Sequence, residues 1–263
     1  MEDAKTPVTA PASSSATGLI HITDREFTEL TTYIQRKYGI NLTKKRVLIE
    51  GRMSNMLRER GLPTFRAYMD ILFKDNSGSE VTNLLNKLTT NHSYFMREQE
   101  HWDYLVGSVL PELEALHAQT KDLRIWSAGC SAGQEAYTLA MAIDEYFGMK
   151  KSGWDTTILA TDISMNVLEK AKLAIYPADN IKDVPSRWVQ KYFVKLPDGN
   201  YQVCDKIRKE VVFKPFNLME KFTFPKPFDL ILCRNVMIYF DAPTKDALVG
   251  RFYGHTSEKG FFF

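Results

Sequence analysis

Three observations predict an α/β fold preceded by a small all-α domain. Residues 21–88 carry apolar side chains at helical spacing and no strand-like alternation. From residue 123 onward short apolar runs alternate with amphipathic stretches, the pattern of βαβ units and a mainly parallel sheet. The first of these runs, in LRIWSAGCSAGQE (123–135), breaks into Gly129 and Gly133, and an amphipathic helix follows at once. Such a strand–loop–helix start lets a ligand approach the backbone and offers it the free N–H groups of a new helix.

In order, residues 1–18 are rich in Ala, Ser, Thr and Pro without apolar periodicity and read as a disordered tail. Thr23 or Asp24 caps a helix with Phe27, Leu30, Ile34 and Tyr38 on one face, stopped by Gly39. A second helix, about 43–60, has the apolar stripe Val47, Leu48, Met53, Met56 and Leu57. Its polar face is basic, with Lys44, Lys45, Arg46, Arg52, Arg58 and Arg60 against only Glu50 and Glu59. That face is either a solvated surface or a patch for an acidic partner, and without interleaved aromatics an acidic helical protein suits it better than nucleic acid. Pro63 opens a third helix (Phe65, Tyr68, Met69, Leu72, Phe73), and a fourth carries Val81, Leu84, Leu85 and Leu88. The helical domain thus spans 19–88, and a linker with a helix (Trp102, Leu105, Val106, Val109, Leu110) spans 89–122.

The domain from 123 to 263 starts with a strand at 123–127 and a helix at about 134–147 ending at Gly148. A second strand at 157–161 runs into Asp162, and its helix is expected to continue to Tyr176, before Pro177. Two short runs around PDGN predict a hairpin within an antiparallel insert at about 185–210. Strands at 211–216 and 228–233, a helix at about 244–253 and a last strand starting at Gly260 complete the pattern. The chain stops inside that last strand, as expected of a truncated protein.

Composition narrows the function classes. An apolar content of 44% supports a sizeable core, and a net charge of +2 selects no partner. No apolar run approaches the ~18 residues of a membrane span, and no signal peptide is visible. Cys130, Cys204 and Cys233 lack metal-ligand spacing and read as reduced thiols of a cytoplasmic protein. The histidines His21, His92, His101, His117 and His255 show no metal-binding spacing, so no metal is expected.

Asp162 stands where a nucleotide-binding βαβ unit places an acid for the ribose hydroxyls. The loop lacks the glycine triplet that admits a pyrophosphate, which favours an adenosyl ligand without phosphates, such as S-adenosylmethionine, over NAD. GCSAG also matches a nucleophile elbow at Ser131, with Asp229 or Asp241 and His255 in hydrolase order. Such an elbow follows several earlier strands of its sheet, whereas this is the first strand, and no oxyanion loop is visible.

TTNHSYFMRE, WSAGCSAGQEAYTLA, ATDIS, FNLME and FDLILCRNVMIYF, in this order behind a helical domain, resemble the CheR family of chemotaxis receptor glutamate O-methyltransferases over nearly all of 20–263. The resemblance implies a Rossmann-like S-adenosylmethionine-dependent domain, releasing S-adenosylhomocysteine, with a small antiparallel insert. It implies cofactor contacts from Asn91, Ser93, Arg97, Glu135, Asp162, Asn217, Leu218, Arg234 and Asn235, and a methyl-transfer site flanked by Arg97 and Tyr239. It implies receptor docking through the helical domain, where Arg46, Arg52 and Arg58 suit the glutamate-rich methylation helices of methyl-accepting receptors. Ser93 and Met96 stand where the family usually has Thr and Phe, and Gln134 where it often has Glu. The short hairpin tip goes with members that act independently of a receptor's C-terminal pentapeptide. The chain is expected to be monomeric, not to insert into membrane and not to bind nucleic acid. The alternatives are a methyltransferase of the same fold acting on RNA or a small molecule, and a non-catalytic S-adenosylmethionine-binding regulator.

Overall fold

The computed structural model describes residues 19–88 and 93–263. The expected tail at 1–18, Asn91 and His92 lie outside the described residues.

Local signals set the helical domain. Helix α1 (Asp24–Tyr38) starts at a capping box in which Thr23 and Glu26 satisfy each other's backbone N–H, and it ends at Gly39 with φ 72°. Helices α2 (Arg46–Glu59), α3 (Phe65–Lys74) and α4 (Ser79–Leu88) follow. Three expectations need correction. Helix α2 starts three residues later than Thr43, because Thr43 closes a turn onto Asn41 instead. Val47 is 83% exposed, and Ile49 takes its place in the core. Helix α3 opens at Phe65, not at Pro63, and Thr64 caps it, its hydroxyl accepting the Ala67 N–H.

The linker helix is interrupted. Segments α5 (Gln99–Tyr104) and α6 (Leu110–Leu116) are joined by a π turn, Leu105–Val109, just ahead of Pro111, which has no N–H to continue an α ladder.

The α/β domain contains β1 (Ile125–Ala128), α7 (Gln134–Phe147), β2 (Ile158–Asp162) and α8 (Met165–Leu173). Helix α8 stops short of the expected Tyr176, because Ala174 turns left-handed (φ 55°) and sends Ile175–Tyr176 into a strand, β3. The insert therefore begins about ten residues before 185. It continues through α9 (Ser186–Tyr192), the hairpin β4 (Phe193–Lys195) and β5 (Tyr201–Val203), and α10 (Asp205–Arg208). Strands β3, β5 and β4 form a three-stranded antiparallel sheet in that order. The chain then returns to the main sheet with β6 (Val211–Pro215), β7 (Phe228–Leu232), α11 (Ala242–Tyr253) and β8 (Thr256–Phe262).

The main sheet is parallel and ordered β6-β2-β1-β7-β8. Counted along the chain, its strands lie third, second, first, fourth, fifth, so the winding reverses between β1 and β7. A ligand crevice opens at such a reversal, beyond the strands' C-terminal ends. Successive side chains of β1 point to opposite faces: Ile125 joins one apolar core and Trp126 the other. The Trp126 ring packs against Phe216, Phe222, Phe224, Phe228 and Phe252, and its Nε1–H donates to Thr161 Oγ1 at 2.9 Å.

This second core is continuous with that of the helical domain, which also joins the sheet domain through its backbone. Ile40 and Phe240 form an antiparallel bridge, and Asn41 N–H donates to the Tyr239 carbonyl at 2.9 Å. Asn217 Nδ2 donates to the Lys37 carbonyl at 3.0 Å, and Gln35 Nε2 to Asp241 at 2.8 Å. The helical domain is thereby fixed as one wall of the crevice.

Candidate active site

The crevice is a cavity of about 220 Å³. The glycine loop forms its floor with Gly129, Cys130 and Ser131. Gly129 sits at φ 83°, and a Cβ there would collide with Val236 Cγ2, so only glycine fits. Asp162, at the end of β2, accepts the Ser131 N–H on Oδ2 at 2.9 Å and the Ser164 N–H on Oδ1 at 3.0 Å. Burial raises its pKa, and the N–H groups of Ser164, Ser131 and Ile163 pull it back. Ser131 thus serves the loop backbone, at φ 52°, and among the described residues it forms no relay with His255 and Asp229 or Asp241. His255 faces the Arg251 carbonyl, Asp229 accepts from Ser257 and from the Arg124 N–H, and Asp241 caps α11.

Glu135, in the first turn of α7, is tied at both oxygens. Ser127 Oγ donates to Oε1 at 2.9 Å and Arg234 Nη1 to Oε2 at 3.3 Å. Burial raises its pKa, with the Arg234 charge and the Ser127 hydrogen bond opposing.

Ser93, Arg97, Glu135, Asp162, Asn217, Leu218, Arg234, Asn235 and Tyr239 all line this one cavity. Asn91, the remaining candidate, lies outside the described residues. Arg234 departs from the picture of a simple ligand contact: its side chain is 4% exposed, and its donors are engaged by protein groups.

Of the expected docking residues, Arg46 is paired with Asp24 and lies over the Phe27 ring. Arg52 donates to the Lys87 carbonyl, and Arg58 bonds Asn55. Arg60 does not belong to an open basic face, because Glu80 of α4 takes its guanidinium in two hydrogen bonds of 2.7 and 3.1 Å.

The helical domain also supplies lining residues: Tyr38, Val81 and Leu85, expected only as apolar helix positions, and Ile40, Thr82 and Asn86, which sequence reasoning did not single out. Tyr94, Ile163 and Phe216 add to the apolar and aromatic walls. Of the six non-glycine residues with positive φ among the described residues, four, namely Met96, Glu98, Ser131 and Asn235, cluster on the cavity or the segment beside it. Such strain persists only where surrounding contacts hold it, and it gathers at functional sites.

The residues present fit an adenosylmethionine. A carboxylate stands at the end of β2 for ribose hydroxyls, Ile163 and Phe216 offer plates for a purine, and Arg97 offers a cation for a carboxylate. No glycine triplet opens space for a pyrophosphate.

Sequence comparison agrees with that chemistry. Residues 91–263 match the CheR methyltransferase SAM-binding domain, and residues 25–89 match the CheR methyltransferase all-alpha domain. A chemotaxis protein methyltransferase of Borreliella burgdorferi is 42% identical over 246 residues, covering 92% of this chain and 87% of the relative. Chemotaxis protein methyltransferase 2 of Vibrio cholerae is 34% identical, covering 93% and 85%. The chemotaxis protein methyltransferase of Escherichia coli is 33% identical, covering 92% and 83%. With a doubly wound sheet, an all-α domain fixed to its crevice and these matches across both parts, the chain belongs to the CheR family of S-adenosylmethionine-dependent chemotaxis protein methyltransferases.

Proposed function

We propose that this protein transfers the methyl group of S-adenosylmethionine to glutamate side chains on the cytoplasmic helices of methyl-accepting chemotaxis receptors, giving glutamate methyl esters. The observation that carries this is the composition of the crevice. It combines Asp162 at the end of β2 and Glu135 in the first turn of α7 with Arg97 and Tyr239, and one wall is a helical domain bearing Arg46, Arg52 and Arg58.

A glutamate side chain has an ordinary pKa of about 4.3 and is ionised at neutral pH, so it attacks without a general base. When bound, S-adenosylmethionine supplies a methyl group already activated by its sulfonium. The task left to the chain is alignment and exclusion of water, which can remove several kcal/mol of barrier, up to roughly 7–11 in favourable cases.

Asp162 holds the ribose, and Asn217 and Leu218 border the adenine. Ser93, Glu135, Arg234 and Asn235 complete the cofactor's surroundings. Arg97 pairs with a carboxylate of cofactor or substrate, and Tyr239 orients the oxygen at the methyl. Among the described residues no helix is long and apolar enough to cross a membrane.

The test is transfer of labelled methyl from S-adenosylmethionine to a cytoplasmic receptor fragment. Base-labile label on the fragment, lost when its glutamates are replaced by glutamine, is the expected result. Label on RNA with none on any receptor fragment would overturn the reading.

A further inference from the structure

Arg97 enters the cavity from a segment with an unusual backbone. Both of its neighbours, Met96 (φ 61°) and Glu98 (φ 60°), are left-handed, a conformation that costs a non-glycine residue free energy and must be held from outside. Part of the hold comes from Glu98. Its Oε1 accepts from Asn235 Nδ2 at 3.1 Å, and its Oε2 accepts from Arg234 Nη2 at 3.0 Å. Asn235 is itself left-handed, at φ 60°. Two strained segments, one before the sheet and one after β7, are thus joined through a single carboxylate.

Arg234 extends the junction. Its Nη2 also donates to the Arg97 carbonyl, which receives a second hydrogen bond from Trp102 Nε1 at 3.0 Å. Its Nε donates to His101 Nδ1 at 2.9 Å, and its guanidinium lies over the Trp102 ring at 4.8 Å. Glu98 also faces Arg97 directly, Oε1 to Nε at 3.9 Å. Burial would raise the pKa of Glu98, but the hydrogen bonds from Asn235 and Arg234 and the nearby Arg234 charge hold it below the ordinary carboxylate value.

We infer that Glu98 is a positioning residue for methyl transfer: by tying Arg234 and Asn235 to the strained 96–98 segment it fixes where the Arg97 side chain stands in the cavity. The inference rests on the role given to Arg97 under the proposed function. Glu98 itself does not line the cavity. Its side chain is 39% exposed, so its removal leaves no void in the core. Without Glu98, Arg234 keeps its bond to the Arg97 carbonyl, but the segment loses its tie to Asn235 and one of its two ties to Arg234.

The experiment is a double-mutant cycle in the full chain with Arg97→Ala, Glu98→Ala and the pair, read as kcat/KM for methyl transfer to a receptor fragment, with a thermal melt of each variant. Glu98→Ala is expected to lower kcat/KM roughly 10- to 100-fold, the loss that about 1 Å of misplacement produces. The pair is expected to be no slower than Arg97→Ala alone, because residues acting as one unit are not additive. Glu98→Gln keeps the shape and one acceptor, and it should recover part of the loss at an unchanged melting temperature. Two outcomes overturn the inference while leaving the proposed function standing: Arg97→Ala is slow but Glu98→Ala is normal, or the two losses multiply. A normal Arg97→Ala overturns the role of Arg97 and the inference with it. If Glu98→Ala fails to fold, Glu98→Gln in the same cycle decides, and additivity there refutes the positioning role.

Discussion

Replacing Asp162 by asparagine tests the cofactor site at one atom. Each carboxylate oxygen accepts one loop N–H, from Ser131 at 2.9 Å and Ser164 at 3.0 Å, and keeps a second lone pair for a ligand hydroxyl. An amide of the same shape must turn its NH2 toward one of those N–H groups, donor against donor. Two losses follow. The loop loses an internal hydrogen bond, about 1–3 kcal/mol, but in the free and the bound protein alike, so this loss appears in stability and not in affinity. The ligand loses a charged acceptor, about 1.5–3 kcal/mol, which weakens binding roughly 10- to 150-fold. Calorimetric titration with S-adenosylhomocysteine reads the second loss, and a denaturant titration without ligand reads the first. A pH series adds a further check. The pKa of Asp162 lies above its ordinary 3.8, so the carboxylate gains its proton at a higher pH than a free aspartate. Affinity for the product should therefore begin to fall at a pH above 3.8 as acid is added, and Asp162→Asn should lack that limb. Binding by the variant within twofold of the native protein would refute the assignment of the ribose to this residue.

Arg97→Ala should abolish most methyl transfer, whereas Tyr239→Phe, which keeps the ring, should lose less; the ratio of kcat/KM values from initial rates checks this. Charge reversal at Arg52 and Arg58 should raise the apparent KM for a receptor fragment, more so at low salt, and leave S-adenosylhomocysteine affinity unchanged. Gly129→Ala, strained by about 1–2 kcal/mol at φ 83° and driven into Val236, should weaken product binding more than tenfold. Its control, Gly61→Ala at φ 67° with open space around it, should cost stability alone. Asp144, 3% exposed in α7, pins the insert through Tyr192, Lys206 and Lys191. Burial would raise its pKa, but the Lys206 and Tyr192 hydrogen bonds and the lysine charges lower it below 3.8. The stability it contributes is complete above 3.8 and is lost as pH falls through the lowered native value. Amide exchange across 175–208 should accelerate in that acid range, and Asp144→Asn should remove that part of the acid dependence.

Elements whose signals are local were legible in the sequence. Helix α7 runs from Gln134 to Phe147 as its periodicity requires, because Gly133 and Gly148 end it on both sides. Tyr176 was not legible, since nothing in KLAIYP announces that Ala174 turns left-handed; its place follows from pairing with Tyr201 across the insert. Nor was the wall that the helical domain gives the crevice, because the Ile40–Phe240 bridge joins residues 200 positions apart that carry no pattern of their own.

Arg234 is the instructive case. Its spacing after β7 places it among residues that touch a ligand, and it does line the cavity. A guanidinium buried to this degree cannot remain without partners, because an uncompensated buried charge costs several kcal/mol. The chain answers with Glu98, Glu135, His101 and the Arg97 carbonyl, groups contributed by segments that only the folded sheet brings together. The burial that makes Arg234 costly to place is thus what fastens the segment before the sheet to the loop after β7, and Arg97 is carried on that fastening. Sequence can name Arg97 and Arg234 separately, but their dependence on each other arises from a desolvation cost that exists only once β7 is inside the molecule.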